Sequence, residues 1–264
     1  MSKTLGLALG AGGARGVAHI GFLKALEENG IKPDYIAGSS MGAVVGGCYA
    51  KGMHIDDIRD IVLKIKAMDI LDISPMSLTK LSLLKSKKVQ RLFLQYLGDV
   101  TFDQLNIPFT CTAVDLLSGK LVNFTEGSVA VGVQASSCIP SIFRPVHLNG
   151  QILIDGGVLC RVPIEQVRKM GADVVVAVDV LVNTSKPVDN IPNIFSMLFR
   201  VYDIMDNQLT QMAKKRKRNK CELYLEPEME GMEAVAVKYL DKAYQEGYEI
   251  GIKNIEKIKE LLKD

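Results

Sequence analysis

Ile36-Ala37-Gly38-Ser39-Ser40-Met41-Gly42-Ala43-Val44-Val45-Gly46 is the stretch on which the reading of this chain turns. It holds Gly-x-Ser-x-Gly with Ser40 in the middle. Short apolar residues lead in, and small residues lead out toward a helix. In that context the motif becomes a nucleophile elbow: a strand ends, the chain turns sharply, and the serine stands at the apex. Gly38 and Gly42 fit because side chains there would collide with the neighbouring strand and helix. Taken alone the motif has two readings, a tight glycine turn or a nucleophile. If Ser40 is a nucleophile, the rest of the chain must supply a base, an oxyanion hole and an acyl pocket.

The 264 residues suffice for one large α/β domain or two small ones. A hydrophobic fraction of 48% is ample for a packed core, and 32 basic against 30 acidic residues give no charge signal for nucleic acid. The five cysteines are scattered, with no Cys-x-x-Cys spacing. They read as reduced thiols of a cytoplasmic protein rather than a disulfide framework or a zinc site. Thr4–Ala11 after Lys3 is short and broken by glycine, so it reads as a first buried strand and not as a signal peptide. No apolar run approaches the roughly 18 residues of a membrane span. The expectation is a soluble protein, free to touch a membrane surface.

Outward from the elbow, Leu5–Gly10 reads as a buried strand, and Ala11–Gly16 as a glycine-rich loop. Val17, Ile20, Leu23 and Leu26 recur at helical spacing up to Asn29, and Gly30 follows as a stop. Tyr35–Ala37 is the second strand, followed by the elbow and a small-residue helix to about Lys51. This order points to a parallel sheet with helices on its faces. Further helices are expected at His54–Ala67, Lys87–Leu97, Ser128–Ser137 and Pro163–Met170, and strands at Phe109–Val114, Lys120–Phe124 and Asp173–Val180. Val146–Ile154 contains Asn149-Gly150, a hairpin signal. Asp69–Leu84 is apolar without a clean period, which suits either a lid over an acyl pocket or an ordinary core-covering segment. Asn193–Gln211 is amphipathic and runs into Lys214–Lys220, where six of seven residues are basic. Cys221–Leu225 is a last strand and Val237–Leu262 a charged terminal helix.

Two further motifs bear on chemistry. Gly10-Ala11-Gly12-Gly13-Ala14-Arg15-Gly16 lies between a strand and a helix, where backbone N–H groups can cradle a phosphate or an oxyanion. Counted from Gly10, the dinucleotide fingerprint would need glycine where Arg15 stands, and no ribose-binding acid follows a second strand. An oxyanion hole is the better use. Asp155-Gly156-Gly157 ends a strand; on its own it is a turn. A serine nucleophile needs a base, and histidine is the usual one. His19 falls on an apolar helix face, His54 opens a helix, and His147 lies in a strand near a turn. Asp155 alone sits at a strand end beside glycines. Its ordinary pKa near about 3.9 makes it a weak base unless it is buried and bonded directly to the serine hydroxyl.

In this order, Gly-x-Gly-Gly-x-Arg-Gly at 10–16, Gly-Ser-Ser-Met-Gly at 38–42 and Asp-Gly-Gly at 155–157 resemble the patatin-like phospholipases. The resemblance implies a three-layer α/β/α fold with a central, mostly parallel sheet. It implies a lipid acyl hydrolase with a Ser-Asp dyad, no histidine, no metal and no cofactor. Carried onto this chain, Ser40 is the nucleophile and Asp155 the proton acceptor, while Gly10, Gly12, Gly13 and Arg15 form the oxyanion region. Gly38 and Gly42 shape the elbow, and Gly156 and Gly157 the turn after Asp155. Ala135-Ser136-Ser137 with Pro140 also resembles a family segment that packs beside the site. The catalytic domain is expected over residues 5–182, with 183–264 a helical extension packed on it.

Two other readings stand beside this one. One is a phosphate- or dinucleotide-binding protein using the Gly10–Gly16 loop. The other is a membrane-associated binding or regulatory protein that keeps the fold, with Asn193–Lys220 as its peripheral contact. For that segment the simpler alternative is a core-packing helix whose basic end complements the helix dipole.

Overall fold

The computed structural model describes residues 3–69, 93–140, 143–181, 221–229 and 239–263, together with Met232 and scattered positions between 191 and 208. Among these, eight strands form one sheet: β1 (Leu5–Leu9), β2 (Tyr35–Ser39), β3 (Phe109–Asp115), β4 (Lys120–Phe124), β5 (Val146–Leu148), β6 (Gln151–Asp155), β7 (Val174–Val178) and β8 (Leu223–Leu225). Their order is β5-β6-β3-β2-β1-β7-β8, with β4 also paired to β3. The run β3-β2-β1-β7-β8 is parallel throughout. Antiparallel pairing is confined to the far end, where β4 and β6 meet β3 and β5 meets β6.

The helices are α1 (Ala18–Glu28), α2 (Met41–Ala50), α3 (Ile55–Asp69), α4 (Val129–Ser136), α5 (Ile164–Lys169) and α6 (Leu240–Leu262). Strand alternation sorts the core into two unequal layers. Leu5, Leu7, Leu9, Val174, Val176 and Val178 face a large apolar cluster shared with α1, α2, α3 and α6. Ala8, Ala37, Val175 and Ala177 face a smaller one built by Val162, Ile164, Val167 and Ala172 around α5. Small residues on that face let α5 approach closely. Large ones on the other supply most of the burial, about 1.5–3 kcal/mol for each fully buried Leu or Val. The result is the expected helix–sheet–helix sandwich.

Residues after 183 are not a mere appendage. They provide β8, which pairs with β7, and α6, which lies along α1. The α1–α6 contact is made of backbone. A Cβ on Gly21 would stand 2.8 Å from the Tyr248 nitrogen, and one on Gly247 would strike the Ala18 carbonyl. Beside this seam the Arg59 guanidinium lies 5.1 Å from the Tyr244 ring centroid and pairs with Asp241 at 2.5 Å.

The expected elements lie within a few residues of those observed. Asn149 and Gly150 take positive φ (49° and 78°) as the β5–β6 turn requires. Beyond Asp69 the expected lid lies outside the described residues, as does the basic cluster Lys214–Lys220; of Lys87–Leu97 only 93–97 is described, and it is helical. In the 193–211 stretch, the expectation of a core-packing helix does not hold at the described apolar positions. Met197, Val201, Ile204 and Met205 are exposed, Met205 to 58%. Their spacing of four, three and one is that of one helical stripe, turned outward.

Candidate active site

The site is a consequence of strand register. A strand has two edges, and β4 occupies one edge of β3 from Cys111 to Asp115. On the other edge β2 pairs with Phe109–Thr112, and β6 with Ala113–Asp115. These two strands therefore meet end to end. Because β2 runs parallel to β3 and β6 antiparallel, their C-terminal ends point at each other. Ser39 lies opposite Thr112 and Asp155 opposite Ala113, the next residue along. The residue after β2 is Ser40. A hundred and fifteen residues of chain separate Ser40 from Asp155, and one shared edge brings them together.

Ser40 sits at the start of α2 with φ 54° and ψ −122°, a conformation rare for a residue with a side chain. The elbow around it is tight: a Cβ on Gly38 would lie 2.5 Å from the Ala43 Cα, and one on Gly42 would lie 2.6 Å from the Leu9 carbonyl carbon. The Ser40 hydroxyl does not cap the helix. It donates to Asp155 Oδ2 at 2.6 Å. The other carboxylate oxygen accepts the Gly157 N–H at 2.7 Å, which fixes the ring of atoms after β6. The Asp155 N–H donates to the Cys138 carbonyl at 2.9 Å. Both side chains are buried, with 5% and 4% of their surface exposed, so the bond between them is largely screened from water.

The C-terminal end of α4 holds the elbow from behind. Ser136 Oγ accepts the Ser40 N–H at 3.0 Å, and Ser137 Oγ donates to the Val133 carbonyl at 2.8 Å and reaches the Ser40 carbonyl at 3.4 Å. Sequence reading placed these serines beside the site but missed this role. A hydroxyl that accepts a backbone N–H leaves no mark in the sequence beyond its own identity.

Not every group of the glycine loop is free to meet a ligand. The Gly10 N–H donates to the Val178 carbonyl at 3.0 Å, so it is not available to an incoming oxygen. The Arg15 side chain is buried and turns away, with Nε donating to the Met232 carbonyl at 2.8 Å. Gly12 and Gly13 do keep N–H groups without an acceptor among the described residues. So does the first turn of α2, where the Met41 N–H, next to the nucleophile, has no intrahelical partner. Met41 was not singled out from the sequence, although the motif itself implies it.

No histidine is hydrogen-bonded to Ser40. His19 is fully buried and its Nε2 meets the Gly10 carbonyl at 2.8 Å. Burial holds its pKa down to about 4, against opposing pulls from the Gly10 carbonyl and Asp179, so it is neutral at physiological pH. His54 is exposed beside Asp56, and His147 is exposed on β5. Nor is there a competing thiol: burial first, and the Asp155 charge second, push Cys138 up to about 12. Among the described residues no cluster of His, Cys, Asp and Glu could hold a metal, and no helix is long and apolar enough to cross a membrane.

Comparison with known proteins agrees with this architecture. The patatin-like phospholipase family model matches residues 7–168. An NTE family protein of Mycobacterium bovis, described as uncharacterized, is 38% identical over 194 residues, covering 73% of this chain and 54% of that protein. Lysophospholipase nte1 of Emericella nidulans is 26% identical over 283 residues, covering 97% of this chain but 18% of that protein. The chain thus spans about half the length of the mycobacterial relative and less than a fifth of the fungal one. Among solved structures, the ExoU–SpcU complex from Pseudomonas aeruginosa matches with a TM-score of 0.52 at 17% identity, over 99% of this chain and 52% of that one, a likeness of fold. With the family model covering more than half of it and a relative at 38% identity, this chain belongs to the patatin-like phospholipase family.

Proposed function

We propose that this protein is a lipid acyl hydrolase that cleaves carboxylic esters through Ser40 and Asp155. The observation that carries the reading is the 2.6 Å hydrogen bond from Ser40 Oγ to Asp155 Oδ2. Family membership supports the substrate class, as does the name lysophospholipase given to the fungal relative. In the reaction Ser40 Oγ attacks the acyl carbonyl carbon and its proton passes to Asp155 Oδ2. The carbonyl oxygen becomes an oxyanion, for which the N–H groups of Gly12, Gly13 and Met41, without an acceptor among the described residues, are the proposed donors. The C–O bond to the alcohol then breaks, and the alcohol leaves with the proton from Asp155. Water, deprotonated by Asp155, adds to the acyl carbon; the bond to Ser40 Oγ breaks, the acid leaves, and the proton on Asp155 returns to Ser40 Oγ. Gly157 holds the carboxylate with Oδ2 turned to the serine throughout. A weak base suffices because the preorganised N–H dipoles supply the larger share of the stabilisation.

We assign catalysis to residues 5–182, completed by β8 and α6 from the 183–264 portion, and a peripheral membrane contact to the exposed stripe at 197–205. The phosphate-binding alternative is disfavoured by the loop: its first two N–H groups are already bonded, to Val178 and Arg161, and Arg15 faces inward.

Hydrolysis of a medium-chain p-nitrophenyl ester, followed by a lipid panel read by mass spectrometry, tests the reading. Ser40→Ala is expected to lower kcat by more than about 10⁴-fold and Asp155→Asn by about 10⁴-fold, as for other nucleophile–base pairs. Turnover that survives Ser40→Ala in a folded protein would overturn it.

A further inference from the structure

A loop of glycines does not orient itself. Gly10, Gly12 and Gly13 have wide conformational freedom, yet an oxyanion hole works only if its dipoles are fixed before the charge appears. Something outside the loop must hold it, and the structure has such a device. The peptide group joining Gly10 to Ala11 is gripped at both ends. Its carbonyl meets His19 Nε2 at 2.8 Å. Its N–H donates to the Arg161 carbonyl at 2.8 Å. The two groups of a trans peptide point in opposite directions, so the partners act from opposite sides and fix its rotation. With the Gly10 N–H tied to Val178, the next N–H groups along the chain are those of Gly12 and Gly13. Their direction follows from a clamped starting point.

Both jaws are firm. A carbonyl oxygen only accepts, so His19 Nε2 carries the proton, and Nδ1 has no partner among the described residues. The imidazole is fully buried, and this is its one hydrogen bond among the described residues. On the other side Arg161 is anchored by its own side chain. Its Nε donates to Asp179 Oδ1 at 3.0 Å, inside a buried cluster where Tyr224 donates to Asp179 Oδ2 at 2.7 Å and the Leu181 N–H to Oδ1 at 3.1 Å. Arg161 also lies six residues beyond Asp155 on the same segment, so the clamp ties the glycine loop to the stretch that carries the base.

We propose that His19 is a positioning residue which, opposite the Arg161 carbonyl, sets the direction of the Gly12 and Gly13 N–H groups for ester cleavage at Ser40. The proposal rests on the acyl-hydrolase reading above. It gives His19 no part in proton transfer: its one hydrogen bond among the described residues goes to the Gly10 carbonyl, while the Ser40 hydroxyl donates to Asp155.

The test compares full-length His19→Leu, which fills the space without a donor, with His19→Gln, whose amide N–H reaches about as far as Nε2. His19→Leu is expected to lose kcat on the p-nitrophenyl ester by about 10- to 100-fold, less than the 10²–10³ of a deleted oxyanion donor because it acts indirectly. KM should stay within about twofold, and His19→Gln should keep kcat within about fivefold of wild type. Amide exchange at Ala11 should quicken in His19→Leu and not in His19→Gln. If both variants match wild type, or both lose activity equally, the positioning role is overturned. Unchanged Ala11 exchange in His19→Leu overturns the clamp whatever turnover does. A wild type without Ser40-dependent hydrolysis sinks the acyl-hydrolase reading instead, and Ala11 exchange then judges the clamp alone.

Discussion

At the scale of single residues, Ser40 joins its proposed chemical role to a backbone liability. Its φ of 54° with ψ −122° belongs to a region that side chains avoid, at a typical cost of about 1–3 kcal/mol. The hydroxyl cannot offset this by capping α2, because it is committed to Asp155. Two variants separate the contributions. Ser40→Ala and Ser40→Gly both delete the hydroxyl and with it the bond to Asp155, so their difference reports the backbone. Glycine relieves the strain and is also the better helix N-cap, against a loss of about 0.5–1 kcal/mol in chain entropy. Ser40→Gly should therefore be more stable than Ser40→Ala by about 1 kcal/mol in urea unfolding, with both inactive. Equal midpoints would mean the elbow carries no strain. The Ser40–Asp155 pair was legible in the sequence because each member sits in a motif and the motifs come in a known order. His19 was not. Its partner is a main-chain carbonyl, and sequence does not say which carbonyl a buried imidazole will meet. The bond from the Gly10 N–H to Val178 was hidden for a related reason: the two are neighbours only after β1 and β7 pair.

At the scale of elements, most of the sheet and its helices were legible, since alternation and helical spacing are local. What local pattern could not reveal was contact across the chain. The end-to-end meeting of β2 and β6 on one edge of β3 depends on registers set by three separate segments. The seam between α1 and α6 is a second case. Gly247 lies in a long charged helix where glycine is a poor former, and only the crossing explains it. Alanine there would improve intrinsic helix propensity by about 1 kcal/mol. Its Cβ would meet the Ala18 carbonyl, part of a backbone that cannot rotate aside. Overpacking of this kind costs about 1–3 kcal/mol and here exceeds the propensity gain. Gly247→Ala should thus lower the unfolding midpoint with an unchanged m-value, while Lys253→Ala on the same helix should stay within about 0.5 kcal/mol of wild type. Since α1 begins beside the glycine loop and carries His19, Gly247→Ala should also reduce kcat more than KM changes. A stabilised Gly247→Ala would show that the seam has room and that the glycine serves no packing need.

At the scale of the whole molecule, the question is how the proposed lipid substrates, which aggregate, would reach the buried Ser40–Asp155 pair. The exposed apolar stripe Met197, Val201, Ile204 and Met205 is followed in sequence by Lys214–Lys220 with its six basic residues. An apolar face buried into the acyl boundary and cations among anionic head groups act together in peripheral binding. Each basic residue near such a surface contributes about 1 kcal/mol, an attraction that salt weakens over a Debye length of about 10 Å at 0.1 M. Overall charge cannot substitute for this arrangement, because the chain as a whole carries only +2. The protein should therefore co-sediment with vesicles containing anionic lipid and not with zwitterionic ones, and release as salt rises toward 0.5 M. Reversing charge at Lys214, Lys217 and Arg218 should abolish most of the binding at low salt. Met205→Asp should weaken it even where the charges remain, because the apolar part acts independently of salt. In both cases turnover of a soluble p-nitrophenyl ester should be untouched, since neither change reaches Ser40 or Asp155, while turnover of lipid in anionic vesicles should fall in proportion to binding. Binding that ignores both anionic lipid and charge reversal would remove this segment as the proposed membrane contact, and the proposed hydrolysis of lipid would then have to proceed without it.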